Sequence, residues 1–491
     1  MNLRLILFAG ALLLVCSSDT ARCYSPDIDG SLSDWLLPPP PVDNVNTGHL
    51  VTDVDGRGEY VWLDLAGDER TDMANPDPES DLLGLRITGD STYVYIGAWF
   101  QDLTLAPGQD GVVQLQIAID TDLMSGSGQS WLAHFADTRI AAEARWERLV
   151  LTTFGSGGAA PQVYDQNFVP VVTANAAQAY SADEDAVEIR VRWLDLGLAG
   201  VPAGPLRFSA AVFRVDLEDR TYDIGGGIIS NVLDAVTNNR DPGGVYNTWY
   251  EVSDAVLNYY WDIWFNLTPA GDPAAPLLVS ELYYVTDGDD TELEFIEVFN
   301  ATNTTIELNG YKLGDEENVT QNAEAMIRLG AGLIGPFETR VLAAQGYAFR
   351  NHFGFHPTWE QQDTTPIVPN AGIYPAWSTG LLFRLDNGGD EVLLLDPSDT
   401  VIDVATYENG SYPGTNPHAE VLPGTSLHRV DIRADSGDCG QDFAPLSPPD
   451  PFGYPGGPTP TPVPIPSAGT AGLLLLLVAL TAALTCGLGK R

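Results

Sequence analysis

Apolar positions in this chain fall mainly into short runs of period two. Val187, Ile189, Val191 and Trp193 alternate with Glu188, Arg190 and Arg192, the pattern of a half-buried antiparallel strand. Thr92–Phe100 places Val94, Ile96, Ala98 and Phe100 on one face and Tyr93, Tyr95 and Trp99 on the other. Val112–Ile119 alternates again through Val113, Leu115, Ile117 and Ile119. Further along, Leu277–Tyr283, Leu293–Phe299, Thr304–Leu308, Thr339–Ala344, Glu391–Asp396 and Thr400–Tyr407 read as strands. Asp287–Asp290 and Asn309–Gly310 supply turns, and Asp396–Pro397 with Ser398–Asp399 a hairpin turn. The runs are short and separated by Gly, Asp and Pro clusters. They predict an all-β chain of two β-sandwich domains, over residues 25–268 and 276–455.

The two ends depart from this period. Residues 1–21 set Arg4 before an apolar run from Leu5 to Val15, then small residues, which is the plan of a signal peptide. Cys16 raises lipid attachment, but Val15 fits that poorly; cleavage after Ser18 or Ala21 is the expectation. Residues 456–466 form a Pro-rich linker. Ala471–Gly489 carries no charge and as a helix would extend about 28 Å, enough for one transmembrane span. The basic end, Lys490–Arg491, would stay cytoplasmic. The chain is thus expected to be exported and held at the cell membrane or cell surface, with its bulk outside.

Composition narrows the partners. The 491 residues carry 23 Lys and Arg against 67 Asp and Glu, a formal charge of −44. That repels phosphate backbones, so nucleic acid is excluded as a partner. With 44% apolar and 10% aromatic residues the chain can build cores. Of four cysteines, Cys16 and Cys486 lie in the apolar ends, leaving Cys23 and Cys439 either bridged or as separate thiols.

Two stretches carry family resemblances. IDGSLSDW (Ile28–Trp35), YVYIGAWFQD (Tyr93–Asp102) and IAIDTDLMSGSG (Ile117–Gly128) resemble family 9 carbohydrate-binding modules and glucodextranase-type sandwich domains. The resemblance implies a β-sandwich, with sugar binding and structural calcium as family properties. SELYY (Ser280–Tyr284), EFIEVFNATNTTIELNGYKLGD (Glu294–Asp315), LAAQGYAFRNHFGF (Leu342–Phe355) and NGGDEVLLLDPSDTVIDVATY (Asn387–Tyr407) resemble, in order, the bacterial form of the lamin tail domain. That implies an immunoglobulin-like sandwich for binding or display, and no catalytic residues. The tail is also similar to bacterial C-terminal sorting signals, without an LPxTG motif; simple membrane anchoring accounts for the same residues.

Sugar recognition needs exposed rings to stack on pyranose faces. Tyr93, Tyr95, Trp99, Trp131 and Trp146 are the candidates, each with the competing reading of a core aromatic. Polysaccharide or cell-envelope glycan is the partner they imply. For calcium, Asp53, Asp55 and Asp64 occupy three positions of an EF-hand-like spacing, but Arg57 stands where an oxygen ligand belongs. Asp120 and Asp122 form a second acidic loop in which Met124 takes a ligand position. A calcium site of another type using some of these carboxylates stays open beside that of a solvated turn. His352 and His356 are spaced i, i+4, but Gly354 and Pro357 break a helix there and no Glu follows His352. Glu297 lies at period two with Phe295 and Phe299, as a partly buried, hydrogen-bonded structural carboxylate.

No nucleophile elbow, zinc-protease, P-loop or dinucleotide motif occurs. The expected function is a non-catalytic, membrane-anchored surface protein that binds carbohydrate with its first sandwich and uses the second for adhesion or scaffolding. Two alternatives remain: a purely structural envelope protein, and a secreted hydrolase with a site in the first domain.

Overall fold

The computed structural model describes residues 25–453 except 36–46, 54, 68, 70–79, 104–111, 134–135, 155–159, 216–230, 237–255, 266–270, 317–323, 379, 381 and 432. The stretches expected to be a signal peptide, a Pro-rich linker and a transmembrane span, and Cys23, lie outside the described residues. Among them the regular structure is mostly β-strand with few short helices, and no helix is long and apolar enough to cross a membrane.

The alternating runs become strands. Ala186–Arg192 pairs antiparallel with Tyr93–Phe100, from Ala186 opposite Trp99 to Arg192 opposite Tyr93. Val187, Ile189 and Val191 point with Val94, Ile96, Ala98 and Phe100 into one core. Opposite them, Val112–Asp120 and Leu206–Val215 lie at the centre of a six-stranded sheet. That sheet fills the same core with Leu115, Ile117, Ile119, Phe208 and Val212. Its outer face is covered too: Ala118, Leu149, Leu151 and Phe213 pack under Leu132, Ile140, Trp146 and Tyr259 in a second, smaller core.

Glu188 is not on a solvated face, contrary to the reading from period two. It is buried, and its carboxylate accepts hydrogen bonds from the backbone N–H of Asp29 (2.9 Å) and Gly30 (2.7 Å) and from Trp35 Nε1 (2.8 Å). The Ile28–Trp35 stretch therefore lies over the outside of the sheet, with Leu32 and Trp35 over Gly97, where a Cβ would lie 2.8 Å from Leu32. Burial raises the Glu188 carboxyl above the ordinary range, against the pull of these donors.

The second region is a sandwich of a six-stranded sheet and part of an eleven-stranded one. Leu278, Ile296, Val298, Leu313, Ile327, Val392, Leu394 and Ile402 meet in its core. Leu277–Tyr283 forms as expected, while Asp287–Asp290 leads into a short helix, Asp290–Leu293, capped by Asp289. The Asp396–Asp399 turn joins Gly389–Leu395 to Val401–Glu408 in antiparallel pairing. Gly346–Phe353 is a helix of two turns stopped by Gly354 at φ 87°. His352 lies inside it and His356 beyond its end, so the two do not share a helix face. Phe349 seals the helix against Phe295, Val341 and Ala343 on the outside of the sheet.

The eleven-stranded sheet runs through both regions, because Gly48–Thr52 pairs parallel with Val401–Glu408 at His49 and Val401. Tyr412 Oη lies 3.1 Å from His49 Nδ1, and Thr52 Oγ1 donates to Asp435 (3.0 Å) across the same seam. Gly58 makes room for the connecting chain, since a Cβ there would sit 1.7 Å from the Pro273 carbonyl oxygen. The seam holds a partly open cleft of about 30 Å³ beside His49, Asp403 and Tyr412, water-sized rather than sugar-sized.

Candidate functional site

The aromatic candidates separate by burial. Tyr95 is 2% exposed, its hydroxyl bonded to Asp90 (2.8 Å), and burial raises it well above the usual tyrosine range. Trp146 is 0% exposed. Neither presents a ring face to a ligand, so for these two the reading as core aromatics holds. Tyr93 and Trp99 are half-buried on the outer face of their strand, under the Arg190 and Arg86 guanidiniums at 5.2 and 5.6 Å. Trp99 also packs against Gly84, whose Cβ would approach its ring to 2.1 Å. The Ile28–Trp35 stretch occupies the sheet face between them.

Trp131 differs. It is 44% exposed, with Arg139 5.1 Å from its ring on one side. Trp146 acts as a pedestal: its Nε1 donates to the Trp131 carbonyl (3.2 Å) and its ring meets Phe168 edge-on at 5.5 Å. Phe168 is 37% exposed and sits at φ 58°, backbone that a side-chain-bearing residue seldom adopts. Gln129 Nε2 donates to the Gln166 carbonyl (3.2 Å) between the two loops. Two exposed rings thus lie against one buried support, with Met124 and Val169 also exposed in their loops. Phe168 was not legible beforehand, because nothing in its local sequence separates an exposed turn phenylalanine from a core one.

The acidic candidates also separate. Asp53 is bound by its own loop: it accepts from Arg57 Nε (2.7 Å), contacts Arg57 Nη2, and accepts from the backbone N–H of Asp55 (3.0 Å). Asp64 follows the strand Gly58–Leu63, at the far end from Asp53 and Asp55. A strand of that length spans roughly 20 Å, so Asp53, Asp55 and Asp64 cannot share one ion. Asp120 and Asp122 do come together, and with a residue the sequence reading missed, Glu147. Carboxylate oxygens of the three lie within 4.8 Å of one another. Glu147 arrives because its N–H bonds to the Ile119 carbonyl, beside Asp120 (3.1 Å).

The loop is already ordered around these carboxylates. Asp120 accepts from the N–H of Leu123 (2.7 Å), Glu147 from that of Thr121 (3.0 Å), and Ser127 Oγ donates to Asp122 (2.9 Å). Burial pushes the Asp120 carboxyl up to about 6, with the Glu147 charge adding to it. All donors are hard oxygens, which suits calcium rather than a thiolate- or imidazole-seeking metal. The same loop, residues 121–133, carries Trp131.

The lamin-tail-like stretch holds carboxylates of another kind. Glu281 and Glu297 face each other across adjacent strands, both 0% exposed. Glu281 Oε1 accepts from Ser426 Oγ (2.5 Å) and Asp450 N–H (3.1 Å), while its Oε2 has no hydrogen-bond partner. Glu297 accepts from Ser280 Oγ (2.7 Å) and Phe452 N–H (2.5 Å). Burial, with each pressing on its neighbours, raises Glu281 to about 7 and Glu297 well above the ordinary range. Nearby, burial pushes Glu294 up to about 9 and Asp315 to about 7. The Asp450–Phe452 backbone lies over the Glu281–Glu297 pair and donates to both carboxyls. Cys439 is a free, buried thiol that accepts from Thr406 N–H (3.3 Å).

Residues 271–409 match the family model of the Lamin Tail Domain. The lamin tail region so defined contains the strands from Leu277–Tyr283 to Val401–Glu408, the turn at Asp399 and the paired glutamates, while the strands Ser426–Arg429 and Phe443–Leu446 of the same sandwich follow it. No curated protein matches the chain. Among solved structures, a DUF4876 family protein from Bacteroides thetaiotaomicron aligns at 10% identity and TM-score 0.27, over 55% of this chain and 89% of that one. A bacterial adhesin from Mobiluncus mulieris, described as containing intramolecular disulfide, isopeptide and ester bond cross-links, aligns at 11% identity and TM-score 0.11, over 55% and 70%. Overlays this loose carry no argument about fold or role.

Proposed function

We propose that this is a non-catalytic surface protein of bacterial type, exported and anchored by its apolar tail, whose first sandwich binds polysaccharide through Trp131 and Phe168. The lamin tail region serves as the rigid display module. One observation carries this reading: an exposed tryptophan, in a loop tied down by Asp120, Asp122 and Glu147, and an exposed phenylalanine from a second loop both lie against a fully buried tryptophan. Polar groups at the rim, Gln129 and Arg139, would supply the hydrogen bonds that orient a sugar ring. A polysaccharide panel tests the reading. Binding to at least one glycan is expected, with a loss of several-fold up to about tenfold in Trp131→Ala, since a stacked aromatic contributes roughly 0.5–1.5 kcal/mol. A panel blank throughout would overturn it and leave the purely structural role.

Calcium would be held by Asp120, Asp122 and Glu147, and its contribution would be to fix the loop that presents Trp131. Calcium a hundredfold above its Kd is expected to add about 2.7 kcal/mol, seen as a melting temperature raised by roughly 5–10 °C. The rise should vanish in Asp122→Ala. An equal melting temperature in calcium and in chelator would remove the ion from the account.

A further inference from the structure

We infer that Lys312 and Asp399 form an intramolecular isopeptide bond, an amide joining Lys312 Nζ to Asp399 Cγ inside the lamin tail region. Lys312 lies on the strand Lys312–Gly314, paired with Gly389–Leu395, and Asp399 on the turn that follows that partner strand. Both side chains are sealed from water, with Lys312 2% and Asp399 0% exposed. The Nζ touches Asp399 Oδ1, yet that oxygen receives no hydrogen bond, so the amine lies against the carboxyl group outside the directions a donor would take. The same Nζ donates to the Asp396 carbonyl, at 2.8 Å.

The surroundings hold this arrangement in place. Asp399 sits at φ 65°, left-handed backbone that turns its carboxyl inward. Asp396 fixes the turn by accepting from the N–H of Ser398 (2.6 Å) and Thr400 (2.9 Å). Tyr374 donates its hydroxyl proton to Asp399 Oδ2 at 2.6 Å, and its ring lies 4.9 Å from Lys312 Nζ. Met326, Trp377, Leu393, Leu395 and Val401 complete an apolar wall around Tyr374.

Chemically, the ammonium of Lys312 passes one proton to the Asp399 carboxylate, giving a neutral amine beside a neutral acid. The amine lone pair adds to Cγ, the C–OH bond breaks, and the hydroxyl leaves with a proton from the nitrogen as one water. The balance is an ammonium and a carboxylate converted to an amide and water, with no oxidant or co-reactant. Tyr374, bonded to the second oxygen, polarises Cγ towards attack. Burial drives the exchange because two charges held out of water are replaced by one neutral group, and fixed contact supplies the effective concentration.

Peptide mapping of the denatured full chain by mass spectrometry tests this. The expected result is a branched peptide containing Lys312 and Asp399, lighter by one water than its two parts, and no tryptic cleavage after Lys312. The branched species should be lost in Lys312→Arg, which keeps the charge but not the nucleophile. Recovery of Lys312 and Asp399 in separate, unmodified peptides from the wild-type chain would overturn the inference, as would a branched species that persists in Lys312→Arg.

Discussion

Arg429→Met is expected to lower the melting temperature of the second sandwich by roughly 10 °C. Arg429 is 1% exposed and rivets the two sheets together. Its Nη2 pairs with both carboxylate oxygens of Asp403 at 3.0 Å, Nε donates to the Val279 carbonyl (2.9 Å), and Nη1 to that of Ala434 (2.7 Å). Burial pushes the Asp403 carboxyl up, and the Arg429 charge is the main force opposing that. Removing the guanidinium strands a carboxylate in the interior, a loss of about 3–5 kcal/mol. At roughly 2–4 °C per kcal/mol for a region of this size, the expected drop follows. The double variant Arg429→Met with Asp403→Leu should recover most of it, because the carboxylate hydrogen-bonded to the guanidinium goes with it and only Asp435 and Asp442, each 3.8 Å from Nη1, lose a counter-charge. Calorimetry on the three proteins checks both halves; a double variant as unstable as the single would place the effect in packing rather than charge.

Acidification from pH 8 to pH 5 is expected to stabilise the lamin tail region. Its buried carboxyls have folded-state pKa values raised above those of the unfolded chain: Glu281 to about 7, Asp315 to about 7 and Glu294 to about 9. A raised acid binds its proton more tightly when folded, so its stabilisation is complete below the unfolded pKa. That stabilisation is lost as pH rises through the folded value. A tenfold gain in proton affinity on folding is worth about 1.4 kcal/mol, so Glu281 alone accounts for roughly 3 kcal/mol across the window. The net charge of −44 favours the same direction, and a variant separates the two causes. Glu281→Gln keeps the acceptor for Ser426 and Asp450 and puts an amide N–H₂ where Oε2 has no hydrogen bond. It should raise the melting temperature at pH 8 and flatten the pH slope. An unchanged slope would assign the effect to general surface charge.

Much of the fold could be read directly from period two, because strands such as Leu277–Tyr283 and Val112–Asp120 are specified by their own alternation. What sits over each face could not. Glu188 alternates like a solvated residue and is buried only because the chain returns with Trp35 from 153 positions away. The continuous sheet depends on one parallel pairing between His49 and Val401, for which no local pattern exists. Helix Gly346–Phe353 was hidden by the glycines at its two ends, one of which serves as its C-cap. At the candidate site, Asp120 and Asp122 were visible as a pair, but Glu147 joins them through strand register. Five aromatic candidates could be named, yet only burial distinguishes Trp131 from Trp146 beneath it.

These two residues also locate the most direct test. Affinity electrophoresis of the full chain through gels containing soluble polysaccharides, run in calcium and in chelator, measures platform and loop together. Retardation by at least one polysaccharide is expected in calcium, reduced in chelator and weakened by Trp131→Ala with folding intact. Retardation undiminished in Trp131→Ala, or absent with every polysaccharide, would contradict the account.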